Sequence, residues 1–343
     1  MESFLFNHNP KISPKKWSLK VLVTLFLFIF SIGVFNYIID PYDVTGHNIF
    51  HIRLKLASDD RNDKVNHFST LRAVDNILIG SSHVYSIDPE AISNNFGGTT
   101  YNFGVGTATV EDLLGTVYYL QRQHKMPKRL FVGIDLYTFN HDLPLNKYFL
   151  RNKELNFFSN LNQSGREDWS RFITVDMTRS SFKTLKNHLF PDPTKAPRFT
   201  AYGQGYSPQW TNYKTHISDA TKEANEFYAE FYSSGNFESL DKKRLSYLLE
   251  IQKISIQNHT QLIIFITPDH PILIQKINQS KVRDSLKELD AFLMSHFDHY
   301  YNFYNDASFV NNLNNFSGAT HTTNKAGDLI VQTLKSSYNI DQQ

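Results

Sequence analysis

Ser82 and His321 are the two residues of this chain whose types and positions best fit nucleophilic chemistry. Ser82 lies in Gly80-Ser81-Ser82-His83, directly after the apolar residues 76–79 and before a helix start at Asp88. A strand that ends in small residues and leads into a helix reaches the carboxyl edge of an open parallel sheet, where ligands bind. A serine there is a nucleophile if a base reaches it, and His321 is the candidate base. The function depends on whether these two residues meet.

The elements that must position this pair alternate between strands and helices. Apolar runs predict five strands, and amphipathic or capped segments between them predict helices that begin near 88, 110, 240, 280 and 325. Such alternation predicts an α/β fold with a parallel sheet and right-handed crossovers. The predicted strands are 76–79, 100–103, 130–136, 261–267 and 299–304.

The segment 21–39 is a candidate transmembrane helix because its nineteen residues carry no charge. Four lysines precede it, so the positive-inside rule predicts a cytoplasmic N-terminus at 1–20 and a domain on the other side of the membrane. A cleaved signal peptide and a buried core helix are the alternatives. The bulky residues that continue into Asp40-Pro41-Tyr42 favour an uncleaved anchor. The lysines are Lys11, Lys15, Lys16 and Lys20.

The remaining composition excludes several classes of function. A formal net charge of +2 gives no nucleic-acid footprint, and the absence of cysteine excludes disulfides, thiolate metal sites and a cysteine nucleophile. No histidine or carboxylate spacing indicates a metal site, and no cofactor is expected. After the anchor, we interpret residues 40–70 as a stalk and 71–340 as one domain. Residues 141–235, irregular and rich in aromatic residues and proline, read as an insertion in that domain.

Four blocks of this sequence resemble the SGNH/GDSL hydrolase superfamily, and the chain looks most like its membrane-anchored envelope branch. That branch includes SGNH-like proteins of D-alanyl transfer and of alginate and peptidoglycan O-acetylation. Gly80-Ser81-Ser82 resembles the nucleophile block, and Asn102-Phe103-Gly104-Val105-Gly106 resembles the glycine block. Gly133-Ile134-Asp135-Leu136 takes the place of Gly-x-Asn-Asp, and His321 fits the Asp-x-x-His block. The resemblance implies a three-layer α/β/α, flavodoxin-like fold with five parallel strands in the order 2-1-3-4-5.

The resemblance also implies roles for individual residues. Ser82 would be the nucleophile and His321 the base, while the N–H groups of Ser82 and of Gly104 or Gly106 would bind the oxyanion. Asp135 stands where the family has an oxyanion-binding asparagine, and it could donate only if protonated. Gly318 holds the place of the triad aspartate, so a backbone carbonyl or Asp306 would have to substitute. Losing the acid can lower turnover by ~10⁴ and losing one oxyanion donor by ~10²–10³.

The expected function is therefore a single-pass inner-membrane serine esterase or acyltransferase that acts on acyl groups of an envelope glycan from the periplasmic side. The relatives imply a multi-pass membrane acyltransferase as partner. The alternative is a noncatalytic SGNH-like protein that binds glycan or scaffolds an acyl-transfer complex, which the changes at Asp135 and Gly318 favour. The remaining candidate pocket residues are Ser81, His83, Asn102, Asp269 and His270.

Overall fold

The computed structural model describes residues 13–41, 60–158, 169–190, 199–205, 217–233, 237 and 239–340. The chain forms two compact units. One unit comprises Met1–Ser58 and Ser164–Pro193, and the other comprises Asp59–Gln163 and Thr194–Gln343. We call them the anchor unit and the sheet unit.

Five parallel strands form the centre of the sheet unit. They are β1 (Asn76–Ile79), β2 (Thr100–Asn102), β3 (Arg129–Ile134), β4 (Gln261–Ile266) and β5 (Tyr300–Asn302). Their spatial order is β2-β1-β3-β4-β5, and every neighbouring pair is parallel. This confirms the α/β fold and the strand order that the sequence predicts. The carboxyl ends of β1 and β3, beside the order reversal, are where ligands bind in sheets of this kind.

Two hydrophobic cores cover the two faces of this sheet, because successive strand residues point to opposite sides. Ile77 and Val132 belong to one core, whereas Leu78 and Phe131 belong to the other. The first core is covered by α4 (Val110–Arg122), α8 (Lys242–Gln257), α9 (Pro271–Asn278) and α10 (Val282–His296). The second is covered by α3 (Pro89–Phe96) and α12 (Asn324–Ile340).

Three further helices of the sheet unit lie in parts of the chain that the sequence reads as stalk or insertion. Helix α2 (Asp60–Thr70) contributes Val65 and Phe68 to the first core, although it falls within the predicted stalk. Residues 42–59 of that stalk lie outside the described residues. The other two, α5 (Lys147–Arg151) and α7 (Ile217–Tyr228), lie within the predicted insertion. Outside these regions, a short helix α11 (Ala307–Val310) follows β5.

The anchor unit contains two helices. Helix α1 (Pro14–Ile39) begins after Ser13, and it ends at Asp40, which adopts a left-handed backbone conformation. It is long and apolar enough to cross a membrane, and most of its large apolar side chains are exposed. Helix α6 (Val175–Leu189) follows a short 3₁₀ turn at Trp169–Ile173, and both pack against the C-terminal part of α1. Thus part of the predicted insertion belongs to the same compact unit as the apolar helix.

Candidate active site

Ser82 is presented by a tight turn directly after β1. The turn Ser82–Val84 is 3₁₀, and the Ser81 hydroxyl caps it by accepting a hydrogen bond from the His83 N–H at 3.1 Å. Gly80 is needed here, because a Cβ at that position would lie 2.7 Å from Val84 Cγ1. The close approach places Ser82, half-buried, at the carboxyl end of the sheet.

His321 reaches Ser82 from the loop that precedes α12. Its Nε2 lies 3.0 Å from Ser82 Oγ, within the hydrogen-bond distance that the sequence predicts. Two further contacts fix the loop: the Thr322 and Ser86 hydroxyls lie 2.6 Å apart, and the His270 N–H donates to the Ala319 carbonyl at 2.9 Å. The histidine is therefore held beside the serine turn by its neighbours on both sides.

A carboxylate from another helix occupies the space next to Gly318. A Cβ at Gly318 would lie 2.5 Å from Glu223 Oε2, which accepts a hydrogen bond from the Ala319 N–H at 2.9 Å. Thr320 Oγ1 lies 3.5 Å from Glu223 Oε1 and 3.0 Å from His321 Nδ1. Glu223, Thr320 and His321 thus form a hydrogen-bonded series on the side of the imidazole opposite to Ser82.

Asp306, which the sequence offers as a substitute acid, is engaged elsewhere. Its carboxylate accepts hydrogen bonds from the Tyr301 hydroxyl at 2.9 Å and from the Phe309 N–H at 3.0 Å, where it caps α11. These bonds lower its pKa, although partial burial opposes them. In this conformation Asp306 therefore caps α11, whereas the carboxylate that hydrogen-bonds the loop of His321 is that of Glu223.

The glycine N–H groups that the sequence assigns to the oxyanion are also engaged in this conformation. The Gly104 N–H donates to Asn102 Oδ1 at 2.9 Å, and the Gly106 N–H donates to Asp60 Oδ2 at 2.7 Å. Within the described part of the chain, the Ser82 N–H has no acceptor. Of the three predicted backbone donors, Ser82 alone is therefore available without a rearrangement.

Asp135 forms a buried ion pair with His83. The His83 Nδ1 lies 2.8 Å from Asp135 Oδ1, and both side chains are almost fully buried. Burial raises the pKa of Asp135, but the attraction of His83 and its hydrogen bond outweigh burial, and the net pKa is lowered. The carboxylate also accepts a hydrogen bond from Thr267. An ionised Asp135 has no proton to donate, so its predicted role as oxyanion donor is corrected.

His83 is a cation because of this environment. Burial lowers its pKa, but Asp135, and then Asp269 and Glu223, more than offset burial and raise the pKa to about 9. Asp269 is buried, and its Oδ2 accepts a hydrogen bond from the Tyr304 hydroxyl. Burial is also the largest cause that raises the pKa of Asp269, to about 7. The site thus contains one firmly charged pair, His83 and Asp135, beside a carboxyl group that titrates near neutrality.

His321 is the neutral imidazole of the site. Burial first, and then the His83 cation, lower its pKa to about 3, while Asp135 opposes them. The rings of His83 and His321 lie 5.4 Å apart, edge to face. A neutral His321 carries one proton, and Thr320 and Ser82 flank its two nitrogens. If Thr320 donates to Glu223, its hydroxyl accepts from His321 Nδ1–H, and Nε2 is then the basic nitrogen that faces Ser82.

The other predicted pocket residues are structural in this conformation. The Asn102 amide is fully buried and donates to the carbonyls of Val84 and Ile87 at 2.8 and 3.2 Å. His270 caps α9, because its Nδ1 accepts a hydrogen bond from the Ile272 N–H at 3.2 Å. These residues shape the turns around Ser82.

Sequence reasoning missed Glu223, Thr320 and Thr267. Glu223 lies in a segment interpreted as irregular, although Ala220, Ala224 and Phe227 recur there at helical spacing. That spacing signals a helix with one apolar face, which is α7. No sequence signal predicts that this helix crosses the His321 loop.

An open cleft of about 820 Å³ lies on the other side of Tyr137. The Tyr137 ring contacts His83 edge to face at 6.3 Å between centroids, so this side chain separates the cleft from the charged pair. The cleft is lined by aromatic, apolar and hydrogen-bonding side chains, which include Thr107, Asn146, Tyr148 and Phe231.

Among the described residues, no cluster of three or more histidine, aspartate or glutamate side chains could hold a metal ion. No model of a known protein family matches the chain, and no curated protein matches its sequence.

Proposed function

We propose that this protein is a membrane-anchored serine esterase or O-acyltransferase of the SGNH type, which acts on acyl groups of a cell-envelope glycan. The observation that carries the proposal is the 3.0 Å separation of Ser82 Oγ and His321 Nε2 at the carboxyl end of a parallel sheet. That distance lies within the range of a nucleophile and its general base.

The reaction would proceed in two steps through an acyl-enzyme. Ser82 Oγ attacks the acyl carbonyl while His321 Nε2 accepts the hydroxyl proton, and the bond between the acyl carbon and the leaving oxygen breaks. His321 then returns the proton to the leaving alcohol. In the second step, water or a sugar hydroxyl attacks the acyl-Ser82, which gives hydrolysis or transfer.

Glu223 and Thr320 take the orienting role of the missing triad aspartate in this proposal. The carboxylate accepts from Thr320 Oγ1, and that hydroxyl accepts from His321 Nδ1–H, which fixes the tautomer that presents a basic Nε2. The 3.5 Å separation of Thr320 and Glu223 is at the outer limit of a hydrogen bond. Catalytic hydrogen bonds of this kind shorten when substrate is bound.

One backbone donor and one cation, whose charge is balanced by Asp135, would act on a negatively charged intermediate. The Ser82 N–H would donate to the oxyanion, and the His83 cation would stabilise it by charge in a partly buried environment. The same cation opposes protonation of His321. Proton transfer from Ser82 to His321 produces an imidazolium and, on the substrate, an oxyanion. The His83 cation disfavours the imidazolium and favours the oxyanion, so its two effects offset each other.

The proposed location comes from the anchor, and the cleft beyond Tyr137 supports the substrate class only indirectly. Its volume of about 820 Å³ and its aromatic and hydrogen-bonding side chains suit part of a glycan bound beside the site. The four lysines that precede the uncharged segment 21–39 support a cytoplasmic N-terminus and an extracytoplasmic sheet unit. A membrane-embedded acyl-transfer protein is the partner that this arrangement would serve.

The test is hydrolysis of a chromogenic acetyl ester by the full-length protein in detergent. The wild type should turn over the ester, and Ser82→Ala should reduce turnover to the uncatalysed rate. Ser246→Ala, which removes a hydroxyl that bonds only within α8, is the matched control and should leave the rate unchanged. Equal rates for wild type and Ser82→Ala would refute the proposal.

A noncatalytic glycan-binding or scaffold protein is the second candidate. It is favoured by the engaged N–H groups of Gly104 and Gly106, because an oxyanion site with one free backbone donor is incomplete. If this candidate is correct, Ser82→Ala binds an acetylated glycan as tightly as the wild type, and neither form releases acetate.

A further inference from the structure

The anchor unit exposes an unusual number of large apolar side chains outside α1. Soluble surfaces rarely carry contiguous apolar patches of this kind, so such a patch indicates a partner or a membrane. These residues, all in the segment 169–190, are Trp169, Ile173, Val175, Phe182, Leu189 and Phe190.

The exposed apolar residues of α6 lie along one stripe of the helix. Val175, Phe182 and Leu189 recur every seven residues, which places them within about 40° of one another around the helix. The opposite face is buried and contains Met177 and Thr184. Beside the apolar stripe lie three basic residues, Arg179, Lys183 and Lys186. An apolar stripe bordered by basic residues is typical of helices that lie in the interface of a bilayer.

Contacts with α1 give the depth of this segment along the anchor helix. The Phe182 ring lies 4.9 Å from that of Phe35, and the Trp169 ring lies 5.1 Å from that of Tyr37. Phe35 is four residues before Ile39, the last residue of α1, so the contact is about 6 Å from the end of the apolar stretch. Interfacial helices bury their apolar face about 5–10 Å into the boundary between headgroups and acyl chains.

Asn36, a polar residue of α1 at the same depth, forms its side-chain hydrogen bonds with the segment 169–190. Asn36 is fully buried, and its amide donates to the Phe172 carbonyl at 2.6 Å and to Thr178 Oγ1 at 2.9 Å. Amide N–H groups that face hydrocarbon without partners are strongly disfavoured. The segment 169–190 therefore provides the acceptors for the side-chain N–H groups of Asn36, inside the apolar part of the anchor.

We infer that the segment 169–190 is a membrane-binding element that lies in the bilayer interface beside α1, with Val175, Phe182 and Leu189 among the acyl chains. The basic residues next to this stripe would extend to lipid phosphates. The inference rests on the proposed function only in taking α1 as a membrane anchor. It is independent of any chemistry at Ser82.

The test uses site-directed labelling of the full chain, which contains no cysteine. Single cysteines replace Phe28 in α1, Phe182 on the apolar stripe, and Asp176, which lies about 120° around α6 from Phe182. Each carries an environment-sensitive fluorophore, and each protein is reconstituted in phosphatidylethanolamine–phosphatidylglycerol vesicles. Quenching is then measured with lipids that carry a nitroxide on the acyl chain, near the headgroup end for the α6 positions and near the chain end for Phe28. Leu189→Cys is a second position on the stripe, in case the Phe182 label perturbs packing.

We expect the labels at Phe182 and Leu189 to be quenched at least about twofold more strongly than the label at Asp176. Quenching at Phe28 with no difference between the stripe and Asp176 would overturn the inference while the anchor stands. Absence of quenching at Phe28, with the stripe quenched, would overturn the anchor and with it the inference, which places the segment beside a membrane-spanning α1. Absence of quenching at all positions would overturn both.

Discussion

Replacing Thr320 by valine is expected to lower kcat for ester hydrolysis by about 10- to 150-fold. Thr320 is buried, and its hydroxyl lies 3.0 Å from His321 Nδ1, so valine removes one hydrogen bond at nearly constant volume. In the transition state His321 is an imidazolium, and a hydrogen bond to a charged group contributes about 1.5–3 kcal/mol. Since each 1.36 kcal/mol changes a rate tenfold, this range gives the expected loss.

The assay compares kcat and KM of wild type, Thr320→Val and Thr320→Ser on the chromogenic ester. Serine keeps the hydroxyl and should keep most of the activity, whereas KM should change little in either variant because the bond strengthens only in the transition state. Wild-type kcat in Thr320→Val, or an equal loss in Thr320→Ser and Thr320→Val, would show that this hydroxyl does not orient His321.

The role of the Glu223 carboxylate, which lies beyond Thr320 from His321, can be tested by removing it and placing a carboxylate at position 318 instead. Glu223→Ala should lower kcat. Adding Gly318→Asp to that variant should raise kcat again by at least about tenfold, because the new aspartate enters the space that Glu223 vacates. Gly318→Asp alone would displace the flexible end of Glu223, because its Cβ would lie 2.5 Å from Oε2, and its activity should depend on how well the new aspartate replaces Glu223. Glu226→Gln, at an exposed position of the same helix, is the matched control and should be neutral. Wild-type kcat in Glu223→Ala would refute this role of Glu223.

Three further expectations concern pH and topology. Because the pKa of His321 is lowered to about 3, kcat/KM should stay level from pH 8 down to about 5, and an acid limb near pH 6.5 would contradict the burial argument. The folded-state pKa of His83 is raised to about 9, so its stabilising contribution is complete below pH 6.5 and disappears as pH rises through 9. Between pH 7 and pH 10 the free energy of unfolding should therefore fall by up to about 3 kcal/mol. Urea titrations at the two pH values measure this fall, and Asp135→Asn should abolish it. A phosphatase fused to the C-terminus should be active only outside the cytoplasm, and cytoplasmic activity would contradict the proposed location.

The sheet could be predicted from sequence because its signals are local. Buried parallel strands are short apolar runs, and helices between them carry caps and periodic apolar faces. The chain order of Ser82 and His321 then places both at one edge of the sheet. Their proximity follows from topology, so one sequence was sufficient to predict it.

The partners of that pair could not be predicted, because they depend on contacts between distant segments. The Gly106 N–H is occupied by Asp60 of α2, which lies 46 residues earlier. Asp135 fits an oxyanion block by position, but His83 fixes it as a carboxylate. Hydrogen bonds of backbone donors and the ionisation of buried carboxyl groups are set by tertiary contacts that no local pattern encodes.

Gly318 and Glu223 are best understood as one feature. A side chain at 318 would require the carboxylate of Glu223 to move from its present position, because the added Cβ would lie 2.5 Å from Oε2. The glycine that seems to remove the acid from Asp-x-x-His therefore makes the space in which a glutamate from α7 binds the same loop through the Ala319 N–H at 2.9 Å. The segment that supplies this helix also packs Phe227 against His83, at 6.1 Å between ring centroids. A region that looks like an insertion in the sequence thus contributes both charge and packing to the site, and the test of the function must include it.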